Sequence, residues 1–358
     1  MTEALGLGRV LVCTPITLGL MNQNWRVETV SGVYAVKRLR DATPDAVRRQ
    51  HAVFPALAAE GLPVPSPSRL TEVDGEWYSI GPWLPGVHRR DLPVTAAGDL
   101  GELIGHLHRR LCAVLPPAPP ALLDEPAEVP VAELTRLGAA AARGSGAFDA
   151  FAAAEVAHRL HLIAGVAHLR PRPGPVRPVG WTHGDLNQHN LLFTGDVCTG
   201  IVDWDRLGVR PYGLEVLRTA VILFESGGET ESRAEAESRS EAESLAEAGS
   251  GSEAESGSEA GSGGEVSSGG EAGSGGEIDL DRLAAFVAGY RARIGIGDAE
   301  LRDAAHRRWW DYLTDTYFLR RHYDDGDSAC DHLFRSSSAV LHWWTAHRAD
   351  VEAAASRS

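Results

Sequence analysis

A chain of 358 residues with 43% hydrophobic and 23% charged side chains has enough material for one large or two ordinary domains, which excludes a short stapled peptide. Its net charge of −15 is concentrated: residues 226–277 hold 13 Glu against 2 Arg, so the remaining 306 residues carry only about −4 and lack the basic excess that nucleic-acid binding needs. No run approaches the roughly 18 apolar residues of a membrane span and the four cysteines lie far apart, so the expectation is a cytoplasmic protein with free thiols and without nucleic-acid or membrane partners.

The chain begins with a strand-and-turn pattern. Trp25 to Val30 and Val33 to Leu39 are β-rich runs on either side of Ser31-Gly32, a spacing that predicts a hairpin. Period-two counting puts Lys37 on the same face as Val33, Ala35 and Leu39. Of 34 basic residues 33 are arginine, and Lys37 is the single lysine. A compact ammonium and a planar guanidinium are not interchangeable, so the one lysine in an arginine-only background is a functional candidate. Thr43-Pro44-Asp45 supplies a cap, a first-turn proline and a first-turn acid for a helix running toward Ala59, with Pro55 expected to kink or shorten it. A second hairpin is predicted around Asp74-Gly75.

Beyond Gly86 the pattern turns helical. Leu100, Leu103, Ile104, Leu107 and Leu111 form one apolar stripe, and an Ala-rich helix is expected from about Phe148 to Leu169. Asn190 to Thr194 and Cys198 to Val202 read as short strands around Gly195-Asp196. Residues 226–277 are low-complexity Ser, Gly, Glu and Ala, with Gly-Gly-Glu starting at 263, 269 and 275. Almost no large apolar side chain occurs there, so disorder is expected, because burial cannot offset the ordering entropy. Helical patterns resume from Ile278, with the pairs Trp309-Trp310 and Trp343-Trp344.

The chemistry concentrates in Thr182-His183-Gly184-Asp185-Leu186-Asn187-Gln188-His189-Asn190, followed by Ile201-Val202-Asp203-Trp204-Asp205. An Asp, an Asn five residues later and an Asp thirteen beyond that, each at a turn or strand end, suit metal-assisted phosphoryl transfer. Carboxylate and amide oxygens are hard ligands for Mg²⁺, and a separate carboxylate can accept a hydroxyl proton. No Walker-type Gly-x-x-x-x-Gly-Lys occurs, which points away from a P-loop enzyme.

These residues resemble the aminoglycoside phosphotransferase and choline kinase-like superfamily, whose catalytic loop reads His-Gly-Asp-x-x-x-x-Asn and whose metal loop reads Ile-Asp-Trp. The resemblance spans nearly all the chain outside the low-complexity segment. It implies an α+β, two-lobed protein-kinase-like fold, with a small β-rich N-lobe and a larger, mainly α C-lobe. The expected division is a nucleotide-binding lobe over 1–85, a C-lobe with both loops over 86–225, the insert over 226–277 and C-lobe helices of the acceptor region over 278–358. The implied cofactors are ATP and Mg²⁺. Asp185 would orient or deprotonate the substrate hydroxyl, Asn190 and Asp203 would hold the metal, and Lys37 would contact the α- and β-phosphates. Gly19, Asn22 and Asn24 fall in the nucleotide loop, and the amides of Trp83 and Leu84 are placed to face adenine. The family's helix Glu that pairs with the lysine is replaced by Gln50 and His51, with Glu60 and Asp45 as distant substitutes. Glu215 is expected to scaffold the site.

The function so implied is transfer of the γ-phosphate of ATP to a hydroxyl of a small molecule: an aminoglycoside-like antibiotic, or a metabolite such as homoserine, choline or a sugar. The alternative is a catalytically weak nucleotide-binding pseudoenzyme acting as a regulatory or interaction module, motivated by the absent helix Glu and the glycine-poor loop. Asp311, Asp315, Asp324, Asp325, Asp327 and Asp331 beside the tryptophans read as a solvated acidic face over an aromatic core rather than a cation pocket.

Overall fold

The computed structural model describes residues 5–16, 22–40, 42–118, 122–123, 131–172, 174–226 and 275–357. Five strands open the chain: β1 (Val10–Ile16), β2 (Gln23–Thr29), β3 (Gly32–Arg38), β4 (Arg69–Val73) and β5 (Glu76–Pro82). They form one antiparallel sheet in the order β1-β2-β3-β5-β4. Both predicted hairpins are present, and Asp74 and Gly75 take the positive φ that their turn requires. One face of the sheet makes its own small core from Val27, Val36, Tyr78 and Ile80, closed by Leu5 and Leu7. Lys37 lies on the other face, in register with Asn24 and Ser79. Within β3 the alternation is as expected, with Val33 and Ala35 on the Lys37 face and Val36 on the other, and the cross-strand neighbours of Lys37 are polar.

Helix α1 (Pro44–Ala58) connects β3 to β4. The Thr43 hydroxyl accepts the Ala46 N–H, as expected of a cap. Pro55 does not break the helix. It sits in the last turn, where its missing N–H forfeits one bond, and its carbonyl still accepts the Ala59 N–H at 3.0 Å.

From here the chain is mainly helical: α2 (Val94–Val114), α3 (Val131–Ala141), α4 (Ala147–Val166), α5 (Tyr212–Phe224), α6 (Leu280–Arg291), α7 (Asp298–Thr314), α8 (Tyr317–Tyr323), α9 (Asp331–Ala346) and α10 (Arg348–Ala355). The predicted stripe on α2 is its buried face. That face meets α6 at backbone distance: a Cβ on Gly101 would lie 1.9 Å from the Phe286 carbonyl oxygen, and one on Gly289 would lie 2.0 Å from that of Gly98. Glycine weakens a helix interior by about 1 kcal/mol, and here it permits a close crossing that any larger residue would hold apart. Trp309, Trp310 and Trp344 are each 1% exposed and belong to the main core.

Short strands frame the loops. After the two-residue pair of β6 (Leu122–Leu123) and β7 (Pro175–Val176), β8 (Val179–Thr182) pairs with β11 (Gly208–Pro211), and β9 (Leu191–Thr194) pairs with β10 (Val197–Ile201). The segment between β8 and β9 and the segment between β10 and β11 are thus brought side by side. The chain next pairs β12 (Glu225–Ser226) with β13 (Glu277–Ile278). Most of the segment expected to be disordered, residues 227–274, lies outside the described residues. No helix among the described residues is long and apolar enough to cross a membrane.

Buried histidines give this fold an acid sensitivity. His108 is fully buried between Tyr212 and Tyr290, with Nδ1 2.9 Å from the Tyr290 hydroxyl, and burial lowers its pKa to about 3. Burial likewise lowers His183, and burial with the Lys37 charge lowers His51, each to about 4. All three are neutral in the fold and protonate near 6.5 when unfolded. Their contribution is intact above about pH 6.5 and is lost as pH falls toward 4, at up to roughly 1.4 kcal/mol per pH unit for each group. The denaturation midpoint should therefore drop between pH 7 and pH 5, and His108→Asn should flatten that drop. Equal slopes for the two proteins would remove His108 from this account.

Candidate active site

The loop after β8 is built on His183, which is fully buried. Its Nε2–H donates to the Val202 carbonyl at 2.9 Å, and its Nδ1 accepts the Asp185 N–H at 3.3 Å. Both nitrogens are used in the neutral form that burial enforces, so His183 ties the Asp185 loop to the Asp203 loop without touching the chemistry. Gly184 follows with φ +85°, and a Cβ there would lie 2.2 Å from the Arg206 carbonyl oxygen. Only glycine permits this approach of the two loops. The Gly184 N–H donates to Glu215 Oε1 at 3.0 Å, consistent with scaffolding by Glu215.

Asn190 closes the first loop. Its Nδ2 donates to the Asp185 carbonyl at 2.7 Å, while its backbone carbonyl accepts the Val202 N–H at 3.0 Å. The amide is oriented by its nitrogen, and its Oδ1 accepts no hydrogen bond among the described residues. Asp203 begins the second turn in a left-handed conformation (φ 59°, ψ 68°), which costs about 1 kcal/mol or more and recurs at functional sites. Trp204 anchors that turn: its indole N–H donates to the Ile201 carbonyl, and its ring meets His183 at 4.7 Å and Phe54 of α1 at 5.3 Å. Helix α1 therefore rests on the Asp203 turn and brings the sheet to it.

Lys37 arrives from the sheet. Its Nζ lies 2.6 Å from Asp203 Oδ1 and 3.0 Å from Asp205 Oδ2, across 166 and 168 residues of sequence. Burial works against the ammonium, but the two carboxylates outweigh it and hold its pKa above the ordinary value. Burial raises Asp203 and the Lys37 charge overcomes that, leaving it low, whereas burial and the Asp203 charge leave Asp205 high. Asn22 supports the arrangement: its Nδ2 donates to Asp205 Oδ2 at 2.9 Å and its Oδ1 accepts the Arg40 N–H at 3.0 Å.

The partner of the lysine is thus supplied by the turn after β10 and not by α1. Glu60 pairs with Arg110 and Asp45 with Arg48, so neither substitute reaches Lys37. The helix instead places His51 near Lys37, bonded to the Ser79 hydroxyl at 2.9 Å. Asn24 sits opposite Lys37 in the sheet. Gly19 lies outside the described residues. The Trp83 N–H is taken by the Val33 carbonyl at 3.0 Å, which corrects the expectation of two adenine-facing amides. The Leu84 N–H has no backbone acceptor among the described residues.

Two charged residues at the site were given no role by the sequence reading. Asp205 stands two residues after Asp203, and that spacing in a turn was the signal for it. Arg218 lies on α5, and its Nη2 donates to Asp185 Oδ1 at 2.6 Å. The acidic residues of the last helices are dispersed into separate pairs: Asp324 with Arg136, Asp327 with Arg321, Asp331 with His322 and Asp311 with Arg308.

The donor set fits Mg²⁺. Asp203 is 48% exposed and so is accessible at the site, and the oriented Asn190 amide leaves an oxygen unused. Among the described residues no three His, Cys, Asp or Glu cluster as metal ligands.

A model of the phosphotransferase enzyme family matches residues 12–250 of this sequence. The chain belongs to that family. Among solved structures it is similar to a spectinomycin phosphotransferase in complex with ADP and spectinomycin, with 12% identity over 95% of this chain and 92% of the other and a TM-score of 0.55. An aminoglycoside phosphotransferase from Alicyclobacillus acidocaldarius subsp. acidocaldarius DSM 446 gives 14% identity over 99% and 96%, with a TM-score of 0.55. At such identities the likeness is one of fold, and the fold is the two-lobed kinase-like α+β architecture.

Proposed function

We propose that this phosphotransferase moves the γ-phosphate of Mg·ATP to a hydroxyl of a small molecule, either an aminoglycoside-like antibiotic or a metabolite such as homoserine, choline or a sugar. The observation that carries the reading is the meeting of Lys37 with Asp203 beside the loop that holds Asp185 and Asn190. Family membership adds the reaction class.

In the proposed mechanism Lys37 exchanges its carboxylate partners for the α- and β-phosphates, and its compact ammonium holds them in register. Asp203 and Asn190 would hold Mg²⁺, which when bound would neutralise charge on the transferring phosphates. Asp185 orients the acceptor hydroxyl and takes its proton. The new bond joins the acceptor oxygen to the γ-phosphorus, and the bond from that phosphorus to the β–γ bridging oxygen breaks, leaving ADP. The Leu84 N–H meets the adenine edge.

The test is ADP release from Mg·ATP across spectinomycin, kanamycin, erythromycin, homoserine, choline and glucosamine, with Asp185→Asn run beside the wild type. Acceptor-dependent release that is lost in the variant is the expected result. Tight Mg·ATP binding without turnover on any acceptor would instead favour a nucleotide-binding module, and no binding would reject the proposal.

A further inference from the structure

We infer that Arg218 is a positioning residue for phosphoryl transfer, acting through the carboxylate of Asp185; the inference rests on the function proposed above. One turn of α5 carries both Glu215 and Arg218, and residues three apart share a helix face. The two grip the same loop. Glu215 takes the Gly184 N–H, while Arg218 donates to Asp185 Oδ1 at 2.6 Å and to the Leu186 carbonyl at 3.4 Å.

The consequence is an asymmetry in the carboxylate. Oδ1 is held by a charge-assisted bond, whereas Oδ2 receives only a 3.3 Å contact from Asn190 Nδ2. A carboxylate on a free rotor presents either oxygen in a broad range of orientations. Arg218 fixes that rotor and leaves Oδ2 as the oxygen for the acceptor hydroxyl.

A purely structural role does not account for this pair. The side chains of Arg218 and Asp185 are 26% and 32% exposed, a setting in which an ion pair adds at most about 1 kcal/mol of stability. Its neighbours on α5 include the buried apolar side chains of Val216, Leu217, Ala220 and Val221. Arg218 leaves that run to reach the base. Direct contact with the acceptor is the competing role, and the experiment separates the two.

The readouts are the Kd for Mg·ATP by calorimetry, the basal hydrolysis of Mg·ATP with water as acceptor, and transfer to whichever member of the acceptor panel responds. Positioning predicts that Arg218→Met lowers kcat by about 10- to 100-fold, the scale of a misplaced reacting group, with Mg·ATP affinity and acceptor KM within about twofold. Arg218→Lys should recover part of the loss. On the residual rate of Asp185→Asn, followed at high enzyme concentration, Arg218→Met should change little further, because its effect passes through the missing carboxylate. Arg218→Gln gives the same cycle if Arg218→Met does not fold.

An equal loss in both backgrounds overturns the assignment, as does a raised acceptor KM with kcat preserved, or no loss at all. A wild type that binds no Mg·ATP would overturn the phosphotransferase proposal itself. Wild-type turnover indifferent to Arg218 would overturn only this inference.

Discussion

Lys37→Arg is expected to lower kcat/KM for ATP by about two to three orders of magnitude, the scale seen when one electrostatic donor is removed from a preorganised site. The substitution keeps the charge, so the loss must come from shape. Lys37 Nζ fits between Asp203 Oδ1 and Asp205 Oδ2 at 2.6 and 3.0 Å, a space set for a compact ammonium on a flexible stem. A guanidinium is planar, wider and fixed as a fork, and it would grip the two carboxylates bidentately instead of releasing them to phosphates. The measurement is steady-state ADP release against ATP concentration at saturating Mg²⁺. Near-normal kcat/KM would remove Lys37 from the phosphate site and leave it as a lobe-bridging cation.

Asp203→Asn should be comparably damaging in a different parameter. It replaces a charged oxygen ligand by a neutral amide, and it takes one of the two counter-ions from a half-buried ammonium. Both effects weaken the metal-bearing complex, so the Mg²⁺ concentration for half-maximal rate should rise by at least about tenfold, with kcat/KM for ATP falling by about 100-fold or more. Asp185→Asn should instead leave Mg·ATP affinity near normal and reduce turnover to a small residual rate. Titrating Mg²⁺ and ATP by calorimetry beside the rate assay separates the two variants. The same Mg²⁺ dependence in both would reject the proposed division of labour.

Asp205 makes the Asp203 prediction sharper. In the variant Lys37 keeps one carboxylate at 3.0 Å, still supported by Asn22. The ammonium therefore retains a partner, and the expected loss belongs to the metal and not to collapse of the cleft.

How much of this was legible in the chain differs from residue to residue. The two loops proposed as catalytic and metal-holding were readable because their parts are close in sequence and each sits at a turn or strand end, where local chemistry selects Asp, Asn and Gly. The hairpins, the Thr43 cap and the α2 stripe were readable for the same local reasons. Pro55 shows the limit of local rules: the penalty is real, but it depends on how many bonds lie beyond the proline, and here the helix is almost finished. Lys37 was conspicuous as the single lysine, and period-two counting placed it on the Val33 and Ala35 face, but its polar cross-strand neighbours Asn24 and Ser79 were not legible there.

The sequence by itself determined the inventory and its local geometry: one lysine, a loop with Asp185 and Asn190, a turn with Asp203, and a glycine wherever the backbone must pass closely. Only the tertiary structure decided the partners. Lys37 meets Asp203 and Asp205 because α1, through Phe54 against Trp204, sets the sheet over that turn. Arg218 meets Asp185 because α5 packs beneath the catalytic loop. Periodicity and turn chemistry act over a few residues, whereas these pairs span 33 to 168 residues and are fixed by the buried surfaces that join the elements.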